Sequence, residues 1–288
     1  MRIIGITKAG DRTGRFGRDV IVASTDSLDD PGAGRLRLIA PLREFWSDPR
    51  AAIANPDGLG IELAADDIVV PPVLPEARVI CIGLNYADHI AEGTYAKDDQ
   101  PPYPTLFARW TRSLVAGGVP VRVPIDEQGL DWEGEIAAWV GAPLRDADKD
   151  TARAAVLGYS TFNDLTARIA QKRTSQWILG KNPDDSGPTG VLVTADEVGD
   201  LRDGLRLTTR VNGEIVQDST SDRQIYEVGE TLAHISRTLT IEPGDILCTG
   251  TPSGVGYARD PQWLLGPGDI VEVEVERLGI LRTPVAAR

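Results

Sequence analysis

Glu133 and Glu135, in the run Asp131-Trp132-Glu133-Gly134-Glu135, are spaced i, i+2, and a further acidic signal, Asn163-Asp164, follows along the chain. On a β-strand this spacing puts both glutamates on one face, with Cα atoms roughly 6.5–7 Å apart. Ile136-Ala137-Ala138-Trp139-Val140-Gly141 comes next and is apolar, so the strand runs on into the core. Two like charges about 4 Å apart cost about 4 kcal/mol at an effective dielectric of about 20. A divalent cation removes that cost, and an all-oxygen donor set suits Mg²⁺ or Mn²⁺ better than Zn²⁺. The competing reading is the solvated face of an edge strand. The chain holds its own control: Ile270-Val271-Glu272-Val273-Glu274-Val275-Glu276 has the same acid spacing and reads as a half-exposed strand.

Three more segments carry chemistry-bearing side chains. In Gly83-Leu84-Asn85-Tyr86-Ala87-Asp88-His89-Ile90-Ala91-Glu92, His89 and Glu92 are i, i+3 neighbours if the segment is helical. A carboxylate beside an imidazole fixes its tautomer and raises its basicity, as a general base requires; a structural role is the alternative. The other histidine, His234, falls in an expected helix and reads as a surface or packing residue. Asp164 can supply a third carboxylate oxygen, or can be a helix N-cap. If a helix starts there, Asp164, Arg168 and Gln171 share a face. Finally, Gly180-Lys181-Asn182 and Gly250-Thr251-Pro252-Ser253-Gly254-Val255-Gly256 are glycine-rich turns, and the second lacks the Gly-Lys-Ser/Thr ending of a phosphate-binding loop.

These groups need strands to hold them. The 288 residues include 30 Gly and 20 Pro, a density of turn formers that suits a β-rich fold. Strands are expected at Arg2–Ile6, Asp19–Val22, Arg78–Leu84, Val156–Phe162, Asp245–Thr249, Ile270–Glu276 and Ile280–Val285. Leu205–Val211 and Glu214–Gln217 flank Asn212-Gly213, a hairpin turn signal. Helices are expected over Leu42–Ala54, over Thr151–Leu157, and over 225–239, where Ile225, Val228, Leu232 and Ile235 have helical spacing. Asp66–Pro72 reads as an extended, proline-ended linker. Strands outnumber helices and do not alternate with them, which predicts an α+β fold with a mixed sheet or barrel-like roll. A net charge of −13 without any basic run argues against nucleic acid and anionic membranes as partners. No apolar stretch approaches the roughly 20 residues that span a bilayer. The start, Met1-Arg2-Ile3-Ile4-Gly5, is interrupted too soon for a signal peptide. A cytoplasmic protein is therefore expected, with Cys81 and Cys248 as buried free thiols.

The combination of motifs resembles the fumarylacetoacetate hydrolase family. The residues that carry the resemblance are Gly83 to His89, Pro104-Thr105-Leu106-Phe107-Ala108, Asp131 to Glu135, Asn163-Asp164 with Arg168, Gly180-Lys181, and the run Glu242-Pro243-Gly244-Asp245 through Gly256. It extends from about Ala77 to the C-terminus. It implies a β-rich, roll-like catalytic domain over 73–288, preceded by a small N-terminal domain over 1–72, and a homodimer. It also implies Mg²⁺ (or Mn²⁺) held by Glu133, Glu135 and Asp164, with His89 and Glu92 activating water and Lys181 assisting. Tyr86, Arg168, Gln171 and Thr251 would contact substrate, while Asp131 and Trp132 would have support roles. The expected reaction is hydrolysis of a carbon–carbon bond in a small anionic 1,3-diketone or acylpyruvate-type oxo acid through an enolate. Decarboxylation, hydration and isomerisation use the same chemistry, and an ion that only staples the fold is a third reading. Arg109-Trp110-Thr111-Arg112 and Asn182–Val191 depart from the family pattern and are expected to line the pocket. Gly93 and Thr94–Gln100 are expected to form a lid over the base.

Overall fold

The computed structural model describes residues 1–9, 19–54, 58–92 and 102–288. Gly93 and Thr94–Gln100, expected as a lid, lie outside the described residues.

The strand Gly134–Val140 is buried along its whole length. It lies between two antiparallel neighbours, Val156–Asn163 and Ile246–Cys248, and alternation sends its side chains to two different cores. Ile136, Ala138 and Val140 pack with Leu207, Val273 and Leu281 of a second sheet. Ala137 and Trp139 pack with Phe45, Trp46, Val79 and Cys248. Trp139 stacks on Trp46 with centroids 6.0 Å apart and donates its indole N–H to Ser160 Oγ at 2.9 Å. Glu135 shares the face of Ala137 and Trp139, so the acids begin where an aromatic-filled core ends.

Among the described residues the larger sheet has 13 strands and the smaller five. The larger is mixed: Ile246–Cys248 runs parallel to Val79–Gly83, and Gly187–Thr189 parallel to Leu114–Ala116. The smaller contains the expected hairpin, whose strands Arg206–Val211 and Glu214–Thr220 meet at Asn212 (φ 50°) and Gly213 (φ 86°). Two successive positive φ values are what a type I′ turn demands. The architecture is the expected sheet-rich α+β fold with few helices.

The leading segment shares the larger sheet. Its strand Arg2–Lys8 pairs with Leu192–Thr194 of the body. The stretch read as a linker contains a strand, Asp67–Val70, that pairs with Arg2–Lys8. The single helix expected over Leu42–Ala54 is two, Leu42–Ser47 and Pro49–Ala54. Pro49 pushes Asp48 out of the helical region, to φ −155°. Asp148 caps the helix Lys149–Ala154 by accepting from Thr151 N at 2.7 Å, so that helix starts and ends earlier than expected. The expected helix over 225–239 is Val228–Ser236; Ile225 lies outside it and donates its N–H to Asn85 O instead. No described helix is long and apolar enough to cross a membrane.

Candidate metal centre and its cavity

Strand register assembles three carboxylates. Gly134 faces Asn163 and Glu135 faces Phe162 in the antiparallel ladder, and Asp164 N donates to Glu133 O at 2.9 Å. Asp164 therefore stands across from Glu133, and Glu135 is two residues along on the same face. One oxygen from each of Glu133, Glu135 and Asp164 lies within 4.8 Å of the others, and all three residues are buried. The helix that Asp164 could have capped begins at Arg168, with Ala167 in the cap position, so its carboxylate is free for the cluster.

Two cations neutralise part of this charge, and Asp131 anchors one of them. Lys181 Nζ donates to Glu133 at 2.5 Å and to Asp164 at 2.6 Å. Arg168 donates to Asp131 at 2.6 and 2.8 Å, to Glu133 at 2.7 Å and to Gln171 Oε1 at 2.9 Å. Burial opposes the Lys181 charge, but Asp164 and Glu133 more than offset it and hold the ammonium above its ordinary pKa. Burial likewise works against ionised Glu133, yet Lys181 and Arg168 pull its carboxyl below the usual range. Among the described residues Glu135 has no ion-pair partner, and the one hydrogen bond it accepts is from the Gly250 N–H at 3.0 Å. Burial, with Asp164, Cys81 and Glu133 nearby, pushes its pKa well above the ordinary value. A buried, all-oxygen donor set with one carboxylate left uncompensated fits a hard divalent cation. An ionised carboxylate offers about four lone-pair sites, so Glu133 and Asp164 can serve both the ammonium and an ion.

Beneath the cluster lies a residue whose placement the sequence reading missed. Arg109, 2% exposed, donates Nε to Asp164 Oδ1 at 2.8 Å and Nη1 to Ser186 Oγ at 2.8 Å, and Nη2 also bonds Asp164. It sits at the end of the strand Thr105–Arg109 and does not line the pocket, contrary to expectation. Asn182–Val191 also lies away from the pocket; Asn182 accepts from Trp110 N at 2.6 Å, and Ser186 braces Arg109. Both segments are walls behind the site.

The glycine-rich turn does more than reverse the chain. Gly250 (φ 86°) donates to Glu135, Gly254 N to Glu92 at 2.7 Å, and Gly256 N to Asp131 at 2.7 Å. A Cβ at Gly250 would lie 2.9 Å from Asn85 Cβ and 3.0 Å from Ile82 O, so only glycine brings this amide to Glu135. On the helix Ala87–Glu92, His89 Nδ1 lies 2.7 Å from Glu92 Oε1. A carboxylate only accepts, so the proton is on Nδ1 and Nε2 is the basic nitrogen.

A cavity of about 850 Å³ joins these parts. Its walls include Glu133, Glu135, Arg168, Gln171, Lys181, Thr251, His89 and Glu92. Thr251 Oγ1 accepts from Gln217 at 2.8 Å. Asp164 is fully buried behind Glu133 and does not reach the wall. Tyr86, expected to touch substrate, is also fully buried; its hydroxyl accepts from Gln224 at 3.4 Å, and it is not among the lining residues. His234 lies elsewhere, stacked on Tyr103 with centroids 5.3 Å apart. Cys81 and Cys248 are free, buried register partners on parallel strands.

Residues 78–286 match the family described as fumarylacetoacetate (FAA) hydrolase C-terminal, and the chain belongs to that family. Its members catalyse more than one reaction. The mitochondrial oxaloacetate tautomerase of Xenopus laevis is 36% identical over 220 residues, covering 75% of this chain and 68% of that protein. The crystal structure of 2-hydroxyhepta-2,4-diene-1,7-dioate isomerase from Mycobacterium marinum superposes with a TM-score of 0.74 at 30% identity, covering 100% of this chain and 99% of that one. Fumarylpyruvate hydrolase from Pseudomonas aeruginosa, solved with Mn²⁺ and pyruvate, gives 0.67 at 30% identity, covering 78% and 94%.

Proposed function

We propose that this chain is a divalent-cation-dependent hydrolase that cleaves a carbon–carbon bond in an acylpyruvate-type oxo acid. The observation that carries this reading is the meeting of two groups in one cavity: Glu133 and Glu135, the two members of the carboxylate cluster that reach its wall with Asp164 behind them, and the His89–Glu92 pair. Mg²⁺ or Mn²⁺ bound by the three carboxylates supplies Lewis-acid polarisation of the oxo group and charge stabilisation of the enolate. Arg168 and Lys181 keep Glu133 ionised, and Lys181 also holds Asp164 in place. Glu92 orients His89, and the Gly254 amide orients Glu92. His89 Nε2 takes a proton from water as the water oxygen adds to the remote carbonyl. The carbon–carbon bond then breaks with its electron pair left on carbon as the enolate, and the returned proton completes a 2-oxo acid and a carboxylic acid. Thr251 Oγ and Lys181 Nζ are the donors available to the developing oxyanion.

Tautomerisation or isomerisation of an oxo acid is the second reading, favoured by the likeness to the Xenopus laevis tautomerase and the Mycobacterium marinum isomerase. Here His89 moves a proton between substrate atoms and no water is consumed. Decarboxylation and hydration would use the same enolate chemistry. Turnover of acylpyruvates with Mg²⁺ or Mn²⁺, followed by loss of enol absorbance and by product mass, separates the readings. Hydrolysis releases pyruvate, whereas isomerisation leaves the mass unchanged. Full activity after chelator treatment overturns both. Exposed Ile169, Ile178 and Leu179, on two short neighbouring helices, support a homodimer, which sedimentation velocity tests.

A further inference from the structure

Behind the cavity wall one buried amide joins two parts of the site. Gln217, 2% exposed, stands on the strand Glu214–Thr220 of the smaller sheet. A β-bulge there sets Thr209 opposite Gln217 and Arg210 opposite Ile215, so Val216 has no partner across the ladder, and Val216 and Gln217 are both buried. Gln217 Oε1 accepts from Gly134 N at 3.0 Å, and Nε2 donates to Thr251 Oγ1 at 2.8 Å and to Pro252 O at 2.9 Å. Gly134 lies between Glu133 and Glu135, and Thr251 lines the cavity. The two sheets approach this closely because residue 134 is glycine. A Cβ there would run into Thr209 Oγ1 and lie 3.2 Å from Gln217 Oε1.

The amide has one possible orientation. A backbone N–H only donates and a backbone carbonyl only accepts, so Gly134 fixes the oxygen and Pro252 the nitrogen. Both N–H groups of Nε2 are then spent, one of them on Thr251. A threonine hydroxyl has one proton to give. Thr251 Oγ1 accepts from Gln217 and, among the described residues, gives its proton to none, so that proton is available to a ligand in the cavity. An apolar side chain at position 217 would leave the hydroxyl free to turn. Pro252 O, which shares Nε2 with Thr251, would become an unmet acceptor beside it.

We propose that Gln217 is a positioning residue for the reaction: it holds Thr251 as a hydrogen-bond donor to the developing oxyanion and ties that donor to the strand carrying Glu133 and Glu135. The inference rests on the reading of Thr251 as an oxyanion donor. It applies to hydrolysis and to any enolate step in which a substrate oxygen gains charge.

The test is a double-variant cycle on Mg²⁺-dependent turnover of 2,4-dioxopentanoate, using Gln217→Met, Thr251→Val and the two together. Thr251→Val removes one oxyanion donor, and kcat should fall ~10²-fold. Gln217→Met, similar in shape, should lower kcat ~10-fold or more with KM within ~3-fold, the pattern of an interaction made in the transition state. The double variant should be no slower than Thr251→Val alone, because the amide has no hydroxyl left to hold. Thr251→Ser, which returns the hydroxyl, should restore the sensitivity to Gln217→Met. Mg²⁺ affinity of Gln217→Met by calorimetry should stay within ~3-fold of wild type, which a residue that only braces the ligand strand would not allow. If Gln217→Met does not fold, Gln217→Asn, whose amide is one methylene shorter, takes its place in the cycle. Losses that multiply in the double variant, or kcat and Mg²⁺ affinity falling together, overturn the positioning role and leave Thr251 as a donor. A Thr251→Val variant within ~2-fold of wild type overturns the donor reading and the proposal with it. If the wild type does not hydrolyse the acylpyruvate, the hydrolase reading falls and the same cycle is read on the enol-to-keto conversion of oxaloacetate; turnover of neither overturns both.

Discussion

Glu133 with Glu135 and Glu272 with Glu274 are the same sequence object: two glutamates at i, i+2 next to apolar residues on an antiparallel strand. Their surroundings differ completely. The strand Ile270–Val275 buries Val271, Val273 and Val275 and leaves the acids half-exposed, where Glu274 meets Arg210 at 2.7 Å and Glu272 meets Arg282 at 3.5 Å. Glu133 and Glu135 are 5% and 1% exposed because cores cover both faces of their strand, and a third carboxylate arrives from the neighbouring strand. Spacing decides which side chains share a face; the layer placed over that face decides whether they are a wet surface or a site.

The largest contrast should come from Glu135→Gln. The amide keeps the shape and can still accept from Gly250, but it removes a hard anionic ligand. Metal-dependent turnover is expected to fall on the order of 10⁴-fold, about 5.5 kcal/mol in the barrier. Steady-state rates with Mg²⁺ or Mn²⁺ measure the loss, and an unchanged circular dichroism spectrum shows that the fold survives. Retention of even a tenth of the rate would mean that Glu135 is not a ligand.

Arg109→Met comes next and is read as stability. It leaves Asp164 buried without its guanidinium, and breaking such a pair costs about 3–5 kcal/mol. Urea unfolding should show that loss as a lowered midpoint with an unchanged slope. The matching change on the exposed strand, Arg210→Ala, should cost no more than about 1 kcal/mol. Equal losses would erase the difference between the two acid pairs. His89→Ala follows, with turnover slowed ~10²-fold or more and Mg²⁺ affinity by calorimetry within ~3-fold of wild type. A parallel fall in both would make His89 a structural group.

Much of this was legible in the chain, and for physical reasons. Period-two alternation placed Glu133 and Glu135 together, the i, i+3 spacing brought His89 to Glu92, and Asn212-Gly213 marked its hairpin. Local rules govern each of these. What escaped the sequence reading depends on distant packing. Arg109 carries no local mark of burial, since the strand around it alternates half-buried and exposed residues until its last position. The amides of Gly250, Gly254 and Gly256 bind acids 115, 162 and 125 positions away, and a glycine-rich run looks the same whether its N–H groups meet water or carboxylates. Tyr86 shows the converse: a polar aromatic in a motif-rich segment is fully buried, with its hydroxyl accepting from Gln224, and is not among the cavity-lining residues.

The smallest expected effect is the sharpest check on the comparison. Glu272→Gln with Glu274→Gln removes two charges from a strand with the same spacing as the site. Each loses a solvent-screened arginine partner worth about 0–1 kcal/mol, and the mutual repulsion of the two glutamates disappears at the same time. The terms oppose each other, so the melting temperature should move by less than about 4 °C. Turnover and Mg²⁺ affinity should stay within ~2-fold of wild type. High salt should narrow the stability difference further, because only exposed charges have changed. A tenfold loss of activity in this double variant would show that half-exposed carboxylates on the smaller sheet reach the chemistry, and that burial is not what separates the two pairs.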